Sequence, residues 1–250
     1  MTSPVCDPAL SRPRPDTAPP APAEALIQLD DVHLNLASAA GKVNVLNGIT
    51  LRIGAGETVG VTGASGSGKT SLLMVIAGLE RATSGRVQVA GERLDRLDED
   101  SLSLFRRRHL GIVFQAFHLV PTMTAIENVA MPLELAGARD AFVRAEAELA
   151  AVGLGHRLLH YPSQLSGGEQ QRVAIARAFA SEPSLVLADE PTGNLDAATG
   201  AAVIDLLFSH RERSGTTLLL VTHDRDLVAR CGRNLRIVDG RIVDGAPPPA

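Results

Sequence analysis

Gly63-Ala64-Ser65-Gly66-Ser67-Gly68-Lys69-Thr70 decides how the rest of the 250-residue sequence reads. A glycine, four residues and then Gly-Lys-Thr is the spacing of a phosphate-binding loop. Its flanks agree, because Thr58 to Thr62 has the pattern of a buried strand and Ser71 to Gly78 that of the following helix. Glycines let the backbone curl with its amides inward, and the helix start adds a partial positive charge where phosphates would lie. The expected phosphate-binding set is therefore Gly63, Ala64, Ser65, Gly66, Ser67, Gly68, Lys69, Thr70 and Ser71. Within it, Lys69 can reach β- and γ-oxygens and Thr70 can offer its hydroxyl to Mg2+.

Bulk properties bound the partners. The length suits one sizeable core with a smaller appendage. A net charge of -4 gives no electrostatic case for nucleic acid, and Arg106-Arg107-Arg108, the one compact basic run, reads as a solvated helix end. No apolar run approaches the roughly 20 residues of a membrane span, so no direct span is expected. The N-terminus lacks a signal-peptide pattern. Cys6 and Cys231 make no disulfide framework and suit a reducing compartment.

Outward from the loop, residues 1–24 are rich in proline and read as a disordered tail, and residues 246–250 as a frayed end. Leu26 to Leu29, Val32 to Leu34 and Val45 to Ile53 have strand character, with a turn at Ala39 to Lys42, and predict a small antiparallel sheet. A helix is expected over Asp98 to Arg108, capped by Asp98 or Asp100, and a short strand over Leu110 to Phe114. Ala116 to Gly137 is irregular and apolar, which fits either a local helical core or a groove open to a partner. Helices follow over Ala141 to Ala151 and from Ser166 to Phe179, the latter start being either a good cap or a phosphate contact. Strands over Ser184 to Ala188 and Leu218 to Thr222 bracket a helix over Ala197 to Ser209, and a final hairpin turns at Asp239-Gly240. No internal repeat or inter-domain linker is visible.

Several strands end in groups that triphosphate cleavage needs. Asp189 is placed to hold Mg2+ with Thr70, and Glu190 beside it can polarise a water. Gln115 can touch both metal and water, and His223 can bond a γ-phosphate oxygen. Glu190, His223, Gln115 and Lys69 form the candidate catalytic set, and Thr70, Gln115 and Asp189 the candidate metal set. No cysteine and histidine spacing supports zinc, and no serine hydrolase elbow occurs.

The loop, Gln115, Leu165-Ser166-Gly167-Gly168-Glu169-Gln170-Gln171, Leu185 to Glu190 and His223 together resemble the nucleotide-binding domain of ABC transporters over residues 26–244. Phe105 to Gln115 and Leu119 to Val129 resemble the lipoprotein-release and macrolide-export group, above all its YbbA-type branch. The resemblance implies an α/β P-loop NTPase fold: a RecA-like mixed-sheet core, a small antiparallel β subdomain, and a helical subdomain over about residues 116–180 of an ABC ATPase domain spanning 25–245. It implies a homodimer that sandwiches two ATP molecules with Mg2+, in which Ser166, Gly167 and Gly168 complete the partner's site and Asp196 links the two sites. It also implies an integral-membrane permease with a large periplasmic domain, and a place on the cytoplasmic face of the bacterial inner membrane. Cargo would be lipid, lipoprotein or a hydrophobic molecule, or else the ATPase would transmit force to a cell-envelope process without cargo. The absence of a long coiled-coil insertion and of a second ATPase domain argues against a translation ATPase. One departure from the pattern is Leu36, where relatives carry an aromatic ring against adenine; a leucine covers the base without ring stacking.

Overall fold

The computed structural model describes residues 25–38 and 41–244. The expected N-terminal tail, C-terminal fraying, Cys6 and the first half of the Ala39 to Lys42 turn lie outside the described residues, while Gly41 and Lys42 open a strand.

Fourteen-residue strands β1 (Ala25–Ser38) and β2 (Gly41–Gly54) pair antiparallel, and β1 also pairs with β4 (Ser84–Val89), which carries the short β5 (Glu92–Arg93). This is the expected antiparallel sheet, with one difference. The two segments read separately at Leu26 to Leu29 and Val32 to Leu34 are one strand, bent at Asp31, whose φ of 50° accompanies a register shift. The second sheet runs β10-β9-β3-β8-β7-β6, from β3 (Thr58–Thr62), β6 (Leu110–Phe114), β7 (Leu185–Asp189), β8 (Thr217–Val221), β9 (Arg233–Val238) and β10 (Arg241–Asp244). Only the β9–β10 pair is antiparallel, so the sheet is mixed.

Between the sheets, Ile27, Leu46, Val59, Leu73, Ile76 and Leu187 belong to one buried cluster with α1 (Lys69–Ile76). The opposite face of the mixed sheet packs Val186, Leu218 and Leu220 against Ile204 and Leu207 of α6 (Ala197–Ser214). The central strands are buried throughout, which explains their near-continuous aliphatic runs. Helix α6 exceeds the expected Ala197 to Ser209 by more than one turn. Gly215 ends it with a left-handed φ of 67° and an N–H donated to the Arg211 carbonyl at 2.9 Å.

A third cluster is helical. Helix α2 (Glu99–His109), capped by Asp98, leads into β6, and α3 (Ala125–Leu135), α4 (Ala141–Ala151) and α5 (Gly167–Phe179) pack through Val129, Leu133, Ala145, Leu149, Val173 and Ala176. The irregular stretch before α3 is organised by one buried side chain. Asn128 donates to the carbonyls of Val120, Met123 and Thr124 and accepts from Val120 N at 2.7 Å. A capping box between Thr124 and Glu127 starts the helix. One face of α3 thus builds the helical core, while Met131, Pro132 and Leu135 line a cavity of about 450 Å³ against α2 and β6.

Strand register positions the chemistry. Phe114 pairs with Asp189, Asp189 with Val221, and Val221 with Val61, so Gln115, Glu190, His223 and the phosphate loop all emerge at the carboxyl edge. The closing hairpin reaches the same edge. Gly240, at its turn, donates to the Ser67 carbonyl at 3.1 Å and accepts from Asn47 N at 2.9 Å, while Asn47 Nδ2 donates to Asp239 O at 2.8 Å.

Candidate active site

The phosphate loop is shaped by glycines that nothing larger can replace. A Cβ on Gly63 would lie 2.3 Å from the Ile237 carbonyl oxygen, and one on Gly68 would lie 2.8 Å from that of Val45. Gly68 also holds φ 103° at the start of α1, where it replaces a side-chain cap and leaves the first amides of the helix facing the loop. Lys69 Nζ donates to the carbonyls of Gly63 at 3.0 Å and Ala64 at 2.9 Å, bracing the curl from inside. Ser67 Oγ is buried without a hydrogen-bond partner. A cleft of about 640 Å³ opens here, of a size for a nucleotide. Its lining includes Gly63, Ser65, Gly66, Gly68, Lys69, Thr70 and Ser71 together with Gln115, Asp189, Glu190 and His223.

Asp189 Oδ2 accepts from Thr70 Oγ1 at 2.9 Å, whereas Oδ1 is buried with no partner. Burial is the main reason the carboxyl is pushed above its ordinary range; the neighbouring Glu190 charge adds to this, and the Thr70 bond and Lys69 oppose it. An orphaned carboxylate oxygen beside a hydroxyl, both hard donors, fits Mg2+. Among the described residues no group of three or more His, Cys, Asp and Glu side chains converges, so such an ion would have to share phosphate oxygens. Glu190 sits at φ 46°, fixed by its N–H to the Val221 carbonyl at 2.9 Å and its own carbonyl to Gly193 N at 3.0 Å. This bend turns its side chain toward His223, whose Nδ1 lies 2.9 Å from Glu190 Oε2. The glutamate is largely enclosed, with 19% of its side chain exposed against 77% for the histidine.

Gln115 is held by two contacts with Asn194: its Nε2 donates to Asn194 Oδ1 at 3.2 Å, and Asn194 Nδ2 donates to its carbonyl at 3.0 Å. A Cβ on Gly193 would lie 2.7 Å from Gln115 Nε2, so the turn after Glu190 is packed directly on this side chain. Gln171 of α5, fully buried, donates to the Pro191 carbonyl at 2.7 Å and ties the helix to the same turn. Asn194 was legible only as a turn residue and Gln171 only as the end of the Leu165 to Gln171 motif, with no role of its own, and Val45, Gly193 and Val221 also line the cleft.

Three sets of expected residues stand apart from this cleft. Ser166, Gly167 and Gly168 begin α5 and are not among the residues lining this cleft. Ser166 Oγ instead takes part in a capping box with Glu169. Leu36 pairs across the strands with Val43, the two being 38% and 49% exposed, while Val45 of the same hairpin lines the cleft. Asp196 caps α6 by accepting from Thr199 N at 3.0 Å.

A family model described as ABC transporter matches residues 46–193. The chain is 47% identical over 227 residues to the uncharacterized ABC transporter ATP-binding protein YbbA of Escherichia coli strain K12, covering 90% of this chain and 100% of that one. It is 48% identical over 221 residues to the lipoprotein-releasing system ATP-binding protein LolD of Geobacter metallireducens, covering 88% and 98%. Among solved structures, the dimeric post-hydrolysis state of the ATP-binding cassette MJ0796 with ADP and Pi superimposes with a TM-score of 0.83 at 36% identity, covering 90% of this chain and 99% of that one.

Proposed function

The chain belongs to the ABC transporter ATP-binding family, and from that premise we propose a residue-by-residue account of how it hydrolyses ATP to drive a membrane permease. It is an ATPase of the RecA-like cassette fold with helical and small β subdomains. The domain runs from residue 25 to 245, and residues 116–180 contribute the helical part. The carrying observation is the rank of strand ends that sets Gln115, Asp189, Glu190 and His223 around one phosphate loop.

The loop amides and Lys69 bind the triphosphate; Thr70 and Asp189 would hold Mg2+, which would supply charge neutralisation at the phosphate oxygens. Glu190 accepts the proton of a water whose oxygen attacks the γ-phosphorus. The bond from that phosphorus to the β–γ bridging oxygen breaks, giving ADP and inorganic phosphate. His223 orients Glu190 through the 2.9 Å contact and, when both ring nitrogens carry protons, donates from the other one to a γ-phosphate oxygen. Gln115 positions the water. Ser166, Gly167 and Gly168 approach the nucleotide of a second copy, which accounts for a conspicuous helix start lying outside its own cleft. The MJ0796 cassette, solved as a dimer, supports this arrangement.

Leu36 and Val45 cover the base by apolar contact. Replacing Leu36 by Tyr is expected to tighten ATP binding by about 2- to 10-fold, the range of one aromatic stack. Unchanged affinity in equilibrium titration removes Leu36 from the adenine site.

The permease docks in the cavity between α2, β6 and α3. It is lined by the apolar side chains of Ile112, Phe114, Met131, Pro132 and Leu135 together with Arg106, Arg107 and Arg177. Arg177 donates to the carbonyls of Phe117 and His118, just past Gln115, so movement of the groove reaches the catalytic edge. No helix among the described residues is long and apolar enough to cross a membrane. Leu135→Lys is expected to reduce co-purification with an integral-membrane permease at least about tenfold, because it sets a second positive charge beside Arg107 in an apolar contact. Undiminished capture of that permease rejects this groove. The LolD relative supports lipoprotein as cargo, and the YbbA relative is similar at nearly the same identity. ATP-dependent release of a lipoprotein from proteoliposomes holding both subunits tests the cargo; turnover without release of lipid or lipoprotein makes the complex a force transmitter.

A further inference from the structure

Ser166 has one hydroxyl proton, and the structure shows it already committed. Its Oγ donates to Glu169 Oε2 at 2.8 Å while accepting from Glu169 N at 3.3 Å, and the same carboxylate oxygen accepts from Ser166 N at 2.8 Å. To donate to a phosphate of the partner-bound nucleotide, Ser166 must release Glu169. The carboxylate would then lose a hydrogen bond while a more negative group arrives close by. The Ser166 donors, with smaller help from the Arg157 and Arg172 charges, hold this carboxyl below its ordinary range, so it meets the phosphate ionised.

Arg157 stands where the compensation is needed. Its Nε is buried with no hydrogen-bond partner and lies 3.4 Å from Glu169 Oε1, the oxygen that Ser166 does not use. Its Nη1 lies 3.0 Å from His160 Nε2, which fixes the guanidinium in this position. A buried donor left unbonded is costly, and a small rotation of the carboxylate would satisfy it.

We propose that Arg157 is a positioning residue that takes the Glu169 carboxylate when Ser166 turns its hydroxyl to the partner's nucleotide. The inference rests on the composite-site reading above. It makes the start of α5 a switch with two settings: Ser166 on Glu169 when the subunits are apart, and Ser166 on phosphate with Glu169 on Arg157 when they close. Arg157 does not line the cleft of its own chain and acts through Glu169.

The test uses the full chain carrying Glu190→Gln, which slows turnover, and measures the ATP concentration for half-maximal dimerisation by sedimentation. Arg157→Gln is expected to raise that concentration about tenfold, within the usual range of coupling between sites, with monomer ATP affinity unchanged. Arg157→Lys keeps the charge and should stay nearer the parent. Adding Glu169→Gln to Arg157→Gln should bring the value back to within about threefold of the parent, because a neutral amide still serves the capping box and no longer repels phosphate. A mere tether between the α4–α5 connection and the helix would not be repaired this way; a double variant as impaired as Arg157→Gln alone overturns the inference. So does an Arg157→Gln protein with the parent's ATP dependence. A parent that does not dimerise with ATP overturns the composite-site reading itself, and this inference with it.

Discussion

Glu190→Gln should lower steady-state ATP turnover by about 10²- to 10⁴-fold, the usual contribution of a positioned general base. The substitution is nearly isosteric, so the bend at φ 46°, the N–H to Val221 and the bond from Gly193 N are retained. The proton acceptor is removed, together with the negative charge that faces Asp189 and His223. Nucleotide binding should persist, because the loop amides, Lys69, Thr70 and Asp189 are untouched, and an ATP-bound dimer should accumulate because its exit by hydrolysis is blocked. Turnover equal to the parent's in a coupled phosphate assay would take the base role away from Glu190.

Ser166→Arg should abolish hydrolysis for a different reason. The arginine side chain at the start of α5 would project into the space the second subunit must fill, and the serine hydroxyl would be lost along with the capping box. Turnover should fall by roughly 10²-fold or more, the scale of one lost transition-state donor, while the isolated subunit still binds ATP with the parent's affinity. Parental turnover with ATP-dependent dimers present would dismantle the two-subunit site. The two variants separate cleanly: Glu190→Gln should bind and dimerise without turning over, and Ser166→Arg should bind without dimerising.

Much of this site is legible in the sequence. The phosphate loop is a spacing of residue types demanded by backbone curvature, and the glycines at 63 and 68 are required by carbonyls 2.3 and 2.8 Å from where a Cβ would stand. Asp189 and Glu190 were legible because a buried aliphatic strand ends on two carboxylates. Helix α4 occupies the expected residues, since its alanine-rich pattern ends in a glycine turn. What pattern could not supply were contacts across the chain. Asn194 holding Gln115, Gln171 reaching Pro191 and Arg157 facing Glu169 join residues 12 to 79 positions apart, with side chains whose types are unremarkable on any surface. The continuity of β1 through Asp31 was hidden for a local reason: a polar residue at positive φ looks like a break and is a bulge.

The hairpin at Asp239-Gly240 gives the domain an order of completion. Ribosomes deliver residues 63–70 long before residue 240, yet the Ser67 carbonyl has its Gly240 partner, and the loop its Ile237 wall, only after β9 and the turn beyond it have emerged. A nascent chain halted at residue 232 holds every catalytic side chain described above and lacks the brace beneath its phosphate loop. The phosphate loop therefore reaches its full set of backbone supports only with the last hairpin of the domain.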